Sequence, residues 1–282
     1  MPILIALLLL SLQSHATTLA KRYTYYPEQF YSAVESGLRG AELKSTLQEI
    51  LSSAHRSSGS EHDQLGKGCD DSSKCYRHTP LGYRRARQIL FGEIHLEETP
   101  DGYGVFDVYC EKTMTRKDFP HNPPGPGKIP DPNVMNAEHT WPQSRFNSSV
   151  DREMQKSDLH ILYPVSSNAN SMRGNIEFAE VITRLKSPCP KSERGYSEDG
   201  SRQQYFEVPA NHKGNVARAI FYFATRYHMR VSPQEENSLR AWHRSDPADE
   251  QELKRNETVF HHQRVRNPFI DHPELVELIS DF

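Results

Sequence analysis

The spacing of hydrophobic residues predicts several helices in this chain. In residues 215–229 the apolar side chains recur every three or four positions, which is the period of one helix face. This apolar stripe consists of Val216, Ala219, Ile220, Phe223 and Tyr227. The same period predicts two amphipathic helices in residues 26–53, interrupted near 37–40, one helix in 82–94, and further helical turns within 234–262.

Shorter segments have the pattern of β-strands. Strands are predicted for residues 104–110, for the segment that ends at the Trp-Pro pair 141–142, for 157–164 and for 176–186. Polar or proline-rich composition predicts loops at 55–75, 121–133 and 192–203. The proline-rich loop would lead the chain into the strand before the Trp-Pro pair.

The first 20 residues have the features of a signal peptide. Residues 3–12 form an apolar run, and small residues at 14–16 and 18–20 offer cleavage sites. No lysine or arginine precedes the run, so an N-terminal anchor or a buried helix is the alternative, although the run is too short to span a membrane. We expect cleavage near residues 16–20, one domain over 21–282, and a secreted or periplasmic protein with no membrane segment.

The overall charge does not identify a partner. The chain has 34 Lys plus Arg against 37 Asp plus Glu, a formal net charge of −3. A protein that binds nucleic acid needs only a local basic surface. Three basic clusters are candidates for it: Arg77, Arg84, Arg85 and Arg87; Lys213, Arg218, Arg226 and Arg230; and Arg264 with Arg266. For each cluster, a solvated helix face is the alternative.

The four cysteines predict disulfide bonds, because they follow an apparent export signal. Cys69 and Cys75 bracket a short polar loop that is easy to close, which leaves Cys110 to pair with Cys189. Free buried thiols are the alternative.

Residues 136–175 contain the densest group of side chains that could carry out chemistry. Glu138 and His139 are adjacent at the predicted end of a strand. A polar run that begins with helix-capping serines follows the next predicted strand and would return Asn170 to this pair. A carboxylate and an amide oxygen suit Mg²⁺, and a neutral imidazole can take a proton from water. Phosphodiester hydrolysis needs both functions.

The residues alone leave other interpretations open. An adjacent Glu-His pair often occurs by chance. His160 could replace His139, or it could be a core histidine that binds a backbone carbonyl. Glu138, His139, Asp158 and His160 could form a zinc cluster, although their spacing matches no recognised zinc pattern and no cysteine is close. Arg173 is a candidate phosphate contact, because a guanidinium matches two phosphate oxygens.

Five motifs carry a resemblance to a known family. They are NAEHTWPQSRF, MQKSDLHILYPVSSNANSMRGN, YRRARQILFGEI at 83–94, KGNVARAIFYFATRY at 213–227 and RNPFIDHPELVELI at 266–279. Together they resemble the bacterial endonuclease I family, secreted or periplasmic nucleases of the ββα-metal (His-Me finger) superfamily. The resemblance extends from about residue 76 to the C-terminus. It implies an α+β fold in which a ββα-metal nuclease core is embedded in a mainly helical single domain.

The resemblance also implies roles for individual residues. It makes His139 the general base, and Glu138 and Asn170 the ligands of one divalent ion, usually Mg²⁺, with Mn²⁺ or Ca²⁺ as alternatives. Some family members carry a catalytic arginine in a Cys-containing insertion between the EH and SDLH motifs. This chain lacks the insertion. We therefore expect that the role is unfilled or taken by Arg145 or Arg173, and we name Arg173 as the second catalytic residue.

The activity implied by the resemblance is that of a metal-dependent endonuclease. Its substrates would be DNA and RNA, cleaved with little sequence specificity, and we expect Arg145 and Arg218 to bind them. We also expect a monomer. Two alternatives are a catalytically silent nucleic-acid-binding protein of the same fold and a secreted zinc hydrolase that acts on peptides.

Overall fold

The computed structural model of the protein describes residues 18–69, 74–198, 200 and 202–282. The apolar run of the predicted signal peptide lies outside these residues. No helix in the described part of the chain has both the length and the apolar character needed to cross a bilayer.

The described residues form ten α-helices. They are α1 (Glu28–Glu35), α2 (Gly40–Ser52), α3 (Tyr83–Ile89), α4 (Arg152–Lys156), α5 (Ser167–Arg173), α6 (Lys213–Arg226), α7 (Pro233–Ser245), α8 (Glu250–Gln263), α9 (Pro268–Asp271) and α10 (Leu275–Leu278). A π-helical turn, Leu90–Ile94, extends α3. The helices predicted from the hydrophobic period are therefore confirmed.

Twelve short strands occur in the same described residues. They are β1 (Ala54–Ser58), β2 (Glu61–Gly66), β3 (Cys75–Tyr76), β4 (Leu96–Thr99), β5 (Gly102–Asp107), β6 (Lys112–Thr115), β7 (Met135–His139), β8 (Leu162–Ser166), β9 (Glu177–Phe178), β10 (Thr183–Leu185), β11 (Glu193–Tyr196) and β12 (Gln204–Glu207). They form four small sheets, ordered β2-β1-β3, β4-β5-β6, β7-β8 and β10-β11-β12-β9. The mixture of helices and small sheets confirms the α+β class.

The loop predicted at 55–75 is wrong, because β1 and β2 form an antiparallel hairpin there and β3 pairs with β1. The buried side chains of this hairpin include the polar residues His55 and Asp63, which lie against each other. His55 Nδ1 lies 3.3 Å from the Asp63 carboxylate, which also accepts a hydrogen bond from the Tyr76 hydroxyl. The imidazole stacks on Tyr25 at a centroid distance of 4.2 Å. An alternation of hydrophobic and polar residues is therefore absent from the hairpin.

Two further predictions need correction. The loop predicted at 192–203 contains strand β11, and the single strand predicted at 176–186 is divided between β9 and β10. The segment predicted as one strand at 157–164 begins as a 3₁₀ turn, Leu159–Ile161, and only then enters β8. The proline-rich segment 121–133 is irregular, as predicted.

Helix α6 lies at the centre of the main core. Every residue from 216 to 226 is buried, so the helix is enclosed on all sides, beyond the single predicted stripe. Phe223 stacks on Trp141 at 5.2 Å and on Phe146 at 5.6 Å. The hydroxyls of Tyr222 and Tyr227 donate to Asp158 at 2.9 and 2.7 Å. The helix thereby supports both ends of the segment that connects β7 to β8.

Candidate active site

Strands β7 and β8 pair antiparallel, and α5 begins at the residue after β8. Glu138 is opposite Tyr163 in this ladder, and His139 is opposite Leu162. Ser166 caps α5, because its hydroxyl accepts a hydrogen bond from the Ala169 amide. The two adjacent candidate residues thus lie at the end of β7, beside the helix that carries the remaining candidates.

Glu138 is buried, with a relative exposure of 2%. Its Oε1 accepts a hydrogen bond from the Tyr109 hydroxyl at 3.0 Å and lies 3.0 Å from Arg173 Nη1. Burial raises the pKa of Glu138, while the charge of Arg173 and the hydrogen bond from Tyr109 oppose the shift. Both contacts are made by Oε1, which leaves Oε2 free of these two partners.

His139 is held in one tautomer by the backbone. Its Nε2 lies 2.9 Å from the carbonyl oxygen of Lys156, which can only accept, so Nε2 carries the hydrogen and Nδ1 is the acceptor. The Gln143 side-chain amide approaches Nδ1 at 3.4 Å. Burial lowers the pKa of His139 to about 4, and the nearby cations of Lys156, Arg173 and Arg152 add to this shift. The imidazole is therefore neutral at pH 7.

Arg173 is buried, and both terminal nitrogens of its guanidinium bind the backbone around Glu138, while its Nε has no hydrogen-bond partner among the described residues. Its guanidinium donates to the carbonyl oxygens of His139 at 2.9 Å and Thr140 at 2.6 Å, in addition to the ion pair with Glu138. It also lies 4.5 Å from the centroid of the Phe178 ring. At 1% exposure the side chain is covered by protein. The geometry therefore supports a positioning role in place of the predicted direct phosphate contact.

Asn170 lies one turn before Arg173 on α5, so the two side chains share a face of the helix. It is half-buried, and its side-chain amide makes no hydrogen bond to the described residues. Because Arg173 contacts Glu138, the shared face brings Asn170 to the same side of β7. The amide oxygen of Asn170 and the carboxylate of Glu138 are a donor set that suits a hard divalent cation.

Asp107 connects the parts that surround Glu138. One oxygen of its carboxylate accepts from the amides of Tyr109 and Cys110 at 3.0 and 3.1 Å, and the other accepts from the Ser166 amide at 2.9 Å. The first pair fixes the turn that aims the Tyr109 hydroxyl at Glu138. The third bond fixes the residue that caps α5.

The predicted disulfides are present, as Cys69–Cys75 and Cys110–Cys189. The second bond lies next to Tyr109, whose carbonyl oxygen also accepts a hydrogen bond from the Ser192 hydroxyl at 2.7 Å. Asp107, Cys110 and Cys189 are the one close group of three potential metal-ligating side chains among the described residues. Because both cysteines are in the disulfide, this group does not form a metal site.

The two predicted substrate contacts occupy different environments. Arg145 is partly exposed, but its Nη2 lies 3.2 Å from Glu235 and 3.6 Å from Glu177. Arg218 is 0% exposed and makes a two-pronged ion pair with Glu252. Its guanidinium is therefore not accessible to a phosphate, and the predicted substrate contact of Arg218 is corrected to an internal ion pair.

The alternatives to His139 are also resolved by geometry. His160 is completely buried, and its Nε2 donates to the Val265 carbonyl at 3.0 Å, as expected of a core histidine. Asp158 accepts hydrogen bonds from two tyrosine hydroxyls and from the Gln263 amide. These two residues do not join Glu138 and His139 in a close ligand cluster within the described chain, so the zinc cluster is not formed.

Sequence reasoning missed three residues that surround the site: Tyr83, Tyr109 and Gln143. Tyr83 and Gln143 lie within motifs that carry the family resemblance, so a signal was present there. Tyr109 is 29 positions from its partner Glu138 and lies in no recognised motif. No pattern along the chain could have connected the two.

Known nucleases are similar to this chain in sequence. The sequence model of the family described as Endonuclease I matches residues 40–274. An extracellular ribonuclease of Bacillus amyloliquefaciens is 28% identical over 281 residues, covering 93% of this chain and 80% of the relative. An extracellular ribonuclease of Bacillus subtilis (strain 168) is 28% identical over 289 residues, covering 96% and 83%. A periplasmic deoxyribonuclease of Aeromonas hydrophila is 28% identical over 123 residues, covering 44% and 51%.

Proposed function

Because this chain belongs to the endonuclease I family, we propose that it is a secreted or periplasmic endonuclease that cleaves phosphodiester bonds of DNA and RNA with Mg²⁺. The observation that carries the proposal is the state of His139. Its Nε2 is anchored on a backbone carbonyl, which leaves Nδ1 as the acceptor, and burial lowers the pKa of the ring to about 4. A general base requires this combination.

In the proposed reaction, Nδ1 of His139 takes a proton from the attacking water. The Lys156 carbonyl keeps Nε2 in place and stabilises the positive charge that the ring then acquires. The amide of Gln143 approaches Nδ1 at 3.4 Å, which is long for a hydrogen bond, so a water can take its place. Gln143 would then orient that water.

Glu138 and Asn170 would hold the Mg²⁺ through carboxylate and amide oxygens. When bound, the ion supplies Lewis-acid stabilisation of negative charge on the phosphate and on the leaving oxygen. Arg173 and Tyr109 keep Glu138 oriented through Oε1, and the charge of Arg173 favours the ionised carboxylate. The order of β7, β8 and α5 supports our proposal that these elements are a ββα-metal core.

The breadth of substrate and the location each have their own support. Contacts to backbone phosphates carry no base sequence, so a site built around phosphate chemistry cleaves with little sequence specificity. The relatives include proteins named as ribonucleases and as deoxyribonucleases, which supports activity on both nucleic acids. Their extracellular or periplasmic names and the two disulfides support export of this chain.

The decisive experiment is a cleavage assay on labelled single-stranded RNA, single-stranded DNA and plasmid. We expect cleavage to stop in EDTA and to return when Mg²⁺ alone is added in excess. His139→Ala should abolish cleavage on all three substrates while the circular dichroism spectrum is kept. Cleavage that persists in EDTA, or that His139→Ala retains in full, would contradict the mechanism. Binding without cleavage in every metal would instead identify a silent binding protein, and recovery of nucleic-acid cleavage with Zn²⁺ but not Mg²⁺ would contradict the proposed Mg²⁺ dependence.

A further inference from the structure

His139 lies between two aromatic rings. The ring centroid of Tyr83 is 5.5 Å from that of His139, and the centroid of Phe146 is 5.9 Å from it. Tyr83 opens helix α3, and Phe146 belongs to the connection between β7 and β8. The base is thus flanked by residues from two separate parts of the chain.

Each of these two rings has at least one cationic side chain packed against it. The guanidinium of Arg87 lies 4.7 Å from the Tyr83 centroid, and the Lys156 ammonium lies 4.5 Å from the same point. The guanidinium of Arg152 lies 5.5 Å from the Phe146 centroid. Cations at these distances are attracted to an aromatic ring. Three cations are therefore held around the proposed general base.

Arg152 is also linked to His139 through one side chain. Its Nη2 donates to Gln143 Oε1 at 3.1 Å, and the Gln143 amide nitrogen approaches His139 Nδ1 at 3.4 Å. Gln143, Phe146 and Arg152 line part of a cavity of about 650 Å³. There is therefore room for part of a substrate on the Arg152 side of the base.

These three cations differ from the arginines already described. Arg145, Arg173 and Arg218 each form an ion pair with a carboxylate. Arg87, Lys156 and Arg152 form none within the described parts of the chain, and Nε of Arg87 is buried without a hydrogen-bond partner. The nearby Glu153 carboxylate instead accepts a hydrogen bond from the Tyr83 backbone amide at 2.5 Å.

Three cations held close together without carboxylate partners repel one another until an anion arrives. We propose that Arg87, Lys156 and Arg152 form a phosphate track, in which the cations on the two sides of His139 contact the phosphates that flank the scissile one. The proposal rests on the proposed function, since it concerns the substrate of the same site. Packing of the long side chains on Tyr83 and Phe146 limits their freedom, which lowers the entropy cost of binding a phosphate.

The test measures binding without cleavage. A fluorescein-labelled single-stranded oligonucleotide is titrated with the full chain in EDTA, and anisotropy gives Kd at several NaCl concentrations. For Arg87→Gln, Lys156→Gln and Arg152→Gln we expect Kd to rise on the order of fivefold. The slope of log Kd against log salt should fall by about 0.7 in each variant, because each removes one phosphate-binding cation.

Arg85→Gln is the matched control. Arg85 is exposed on the same helix as Arg87, and its substitution makes the same change of charge. It is two positions from Tyr83, and residues two apart do not face each other on a helix, whereas Arg87 is four positions away and does. We expect wild-type Kd and salt slope for Arg85→Gln. Arg87→Lys, which keeps the charge, should recover most of the slope, and melting temperatures should show that every variant is folded.

The outcomes separate this inference from the proposed function. If the wild-type protein cleaves with Mg²⁺ but the three variants keep its Kd and salt slope, the phosphate track is wrong and the nuclease proposal stands. If the variants have a smaller slope but no protein cleaves in any metal, the track stands and the nuclease proposal fails. Equal reductions in Arg85→Gln and Arg87→Gln would show a general charge effect and overturn the track.

Discussion

At the scale of single residues, substitution of Asn170 is the most direct test of metal binding. Its amide oxygen is a proposed ligand, and the side chain makes no hydrogen bond to other described residues. Asn170→Ala should therefore leave the fold unchanged and raise the Mg²⁺ concentration for half-maximal cleavage by roughly 10- to 100-fold, if the ligand contributes about 1.4 to 2.8 kcal/mol. Isothermal titration with Mg²⁺ checks the same shift without activity.

Asn168 offers the matched control for this prediction. It lies on the same helix, two positions away and exposed, so Asn168→Ala removes an identical group from another face. We expect a wild-type Mg²⁺ titration for Asn168→Ala. A wild-type titration for Asn170→Ala as well would remove Asn170 from the ligand set.

The proposed role of Arg173 is to position Glu138, and a pH profile tests it. Arg173 opposes the burial that raises the pKa of Glu138. A lysine at this position cannot reproduce the forked contacts to Glu138 and to two carbonyls, so in Arg173→Lys the pKa of Glu138 should rise further. Protonation of Glu138 would then weaken metal binding at a higher pH. We expect the acid limb of the cleavage rate to move upward by about one pH unit.

Arg240→Lys controls for the general effect of replacing a well-connected arginine. Arg240 also contacts one carboxylate, that of Glu236, and two carbonyl oxygens, those of Val276 and Ile279. Its substitution should lower the melting temperature and leave the acid limb in place. An unmoved acid limb in Arg173→Lys would mean that Arg173 has no influence on the ionisation of Glu138.

At the scale of elements, the two disulfides should differ in both stability and function. The Cys110–Cys189 bond closes a separation of 79 residues, and Cys69–Cys75 closes one of 6. Loop-closure entropy predicts destabilisation by about 4.5 and about 2 kcal/mol, respectively, when each pair is replaced by alanine. Only Cys110 adjoins Tyr109, which contacts Glu138. We therefore expect only the Cys110→Ala, Cys189→Ala variant to require more Mg²⁺.

Urea denaturation and the Mg²⁺ titration together check this prediction. The Cys69→Ala, Cys75→Ala variant serves as the control for removal of a crosslink. Equal destabilisation of both variants would contradict the loop-length argument. An unchanged Mg²⁺ requirement without the Cys110–Cys189 bond would show that Tyr109 keeps its position in its absence.

At the scale of the whole molecule, buried neutral histidines make stability depend on pH. Burial lowers the pKa of His243 to about 4, with a further contribution from Arg218, whereas an unfolded histidine titrates near 6.5. The folded state therefore binds fewer protons between these values. The contribution of neutral, buried His243 to the free energy of unfolding is complete above pH 6.5 and is lost as the pH falls toward 4.

A difference between variants isolates this effect from other titrating groups. The free energy of unfolding of wild type minus that of His243→Gln should fall by about 1 kcal/mol per pH unit between pH 6 and 4.5. Urea denaturation at a series of pH values measures it. His121→Gln, which removes an exposed histidine, is the control for the loss of an imidazole outside the core. A flat difference for His243→Gln would show that its pKa is not depressed.

The parts of the site that lie close together along the chain can be predicted from the sequence. Glu138, His139 and Asn170 belong to one continuous segment in which turn and capping residues indicate how the chain folds back. Tyr109 cannot be predicted in this way, because its contact with Glu138 depends on the packing of distant strands. The assignment of Arg218 is wrong because a count of charges cannot distinguish an exposed arginine from one paired with Glu252, 34 residues away.

The errors in the fold have a related physical cause. Helix α6 can be predicted because its core-facing side chains are apolar and regularly spaced. The hairpin of β1 and β2 cannot, because its interior holds His55 and Asp63, which become compatible with burial only when they meet. Patterns of hydrophobicity detect elements that face a hydrophobic core. They overlook elements whose buried polar groups pair with each other.

Asp107 links the supports of both proposed metal ligands without being a ligand itself. One carboxylate holds both the turn that carries Tyr109 and the residue that caps the helix carrying Asn170. Asp107 thus contacts a support of each proposed ligand, so a substitution at position 107 can act on both supports without replacing either ligand. Engineering a preference for a larger cation such as Ca²⁺ should therefore begin with the length of side chain 107. Asp107→Glu would move the Tyr109 turn and the Ser166 cap outward together.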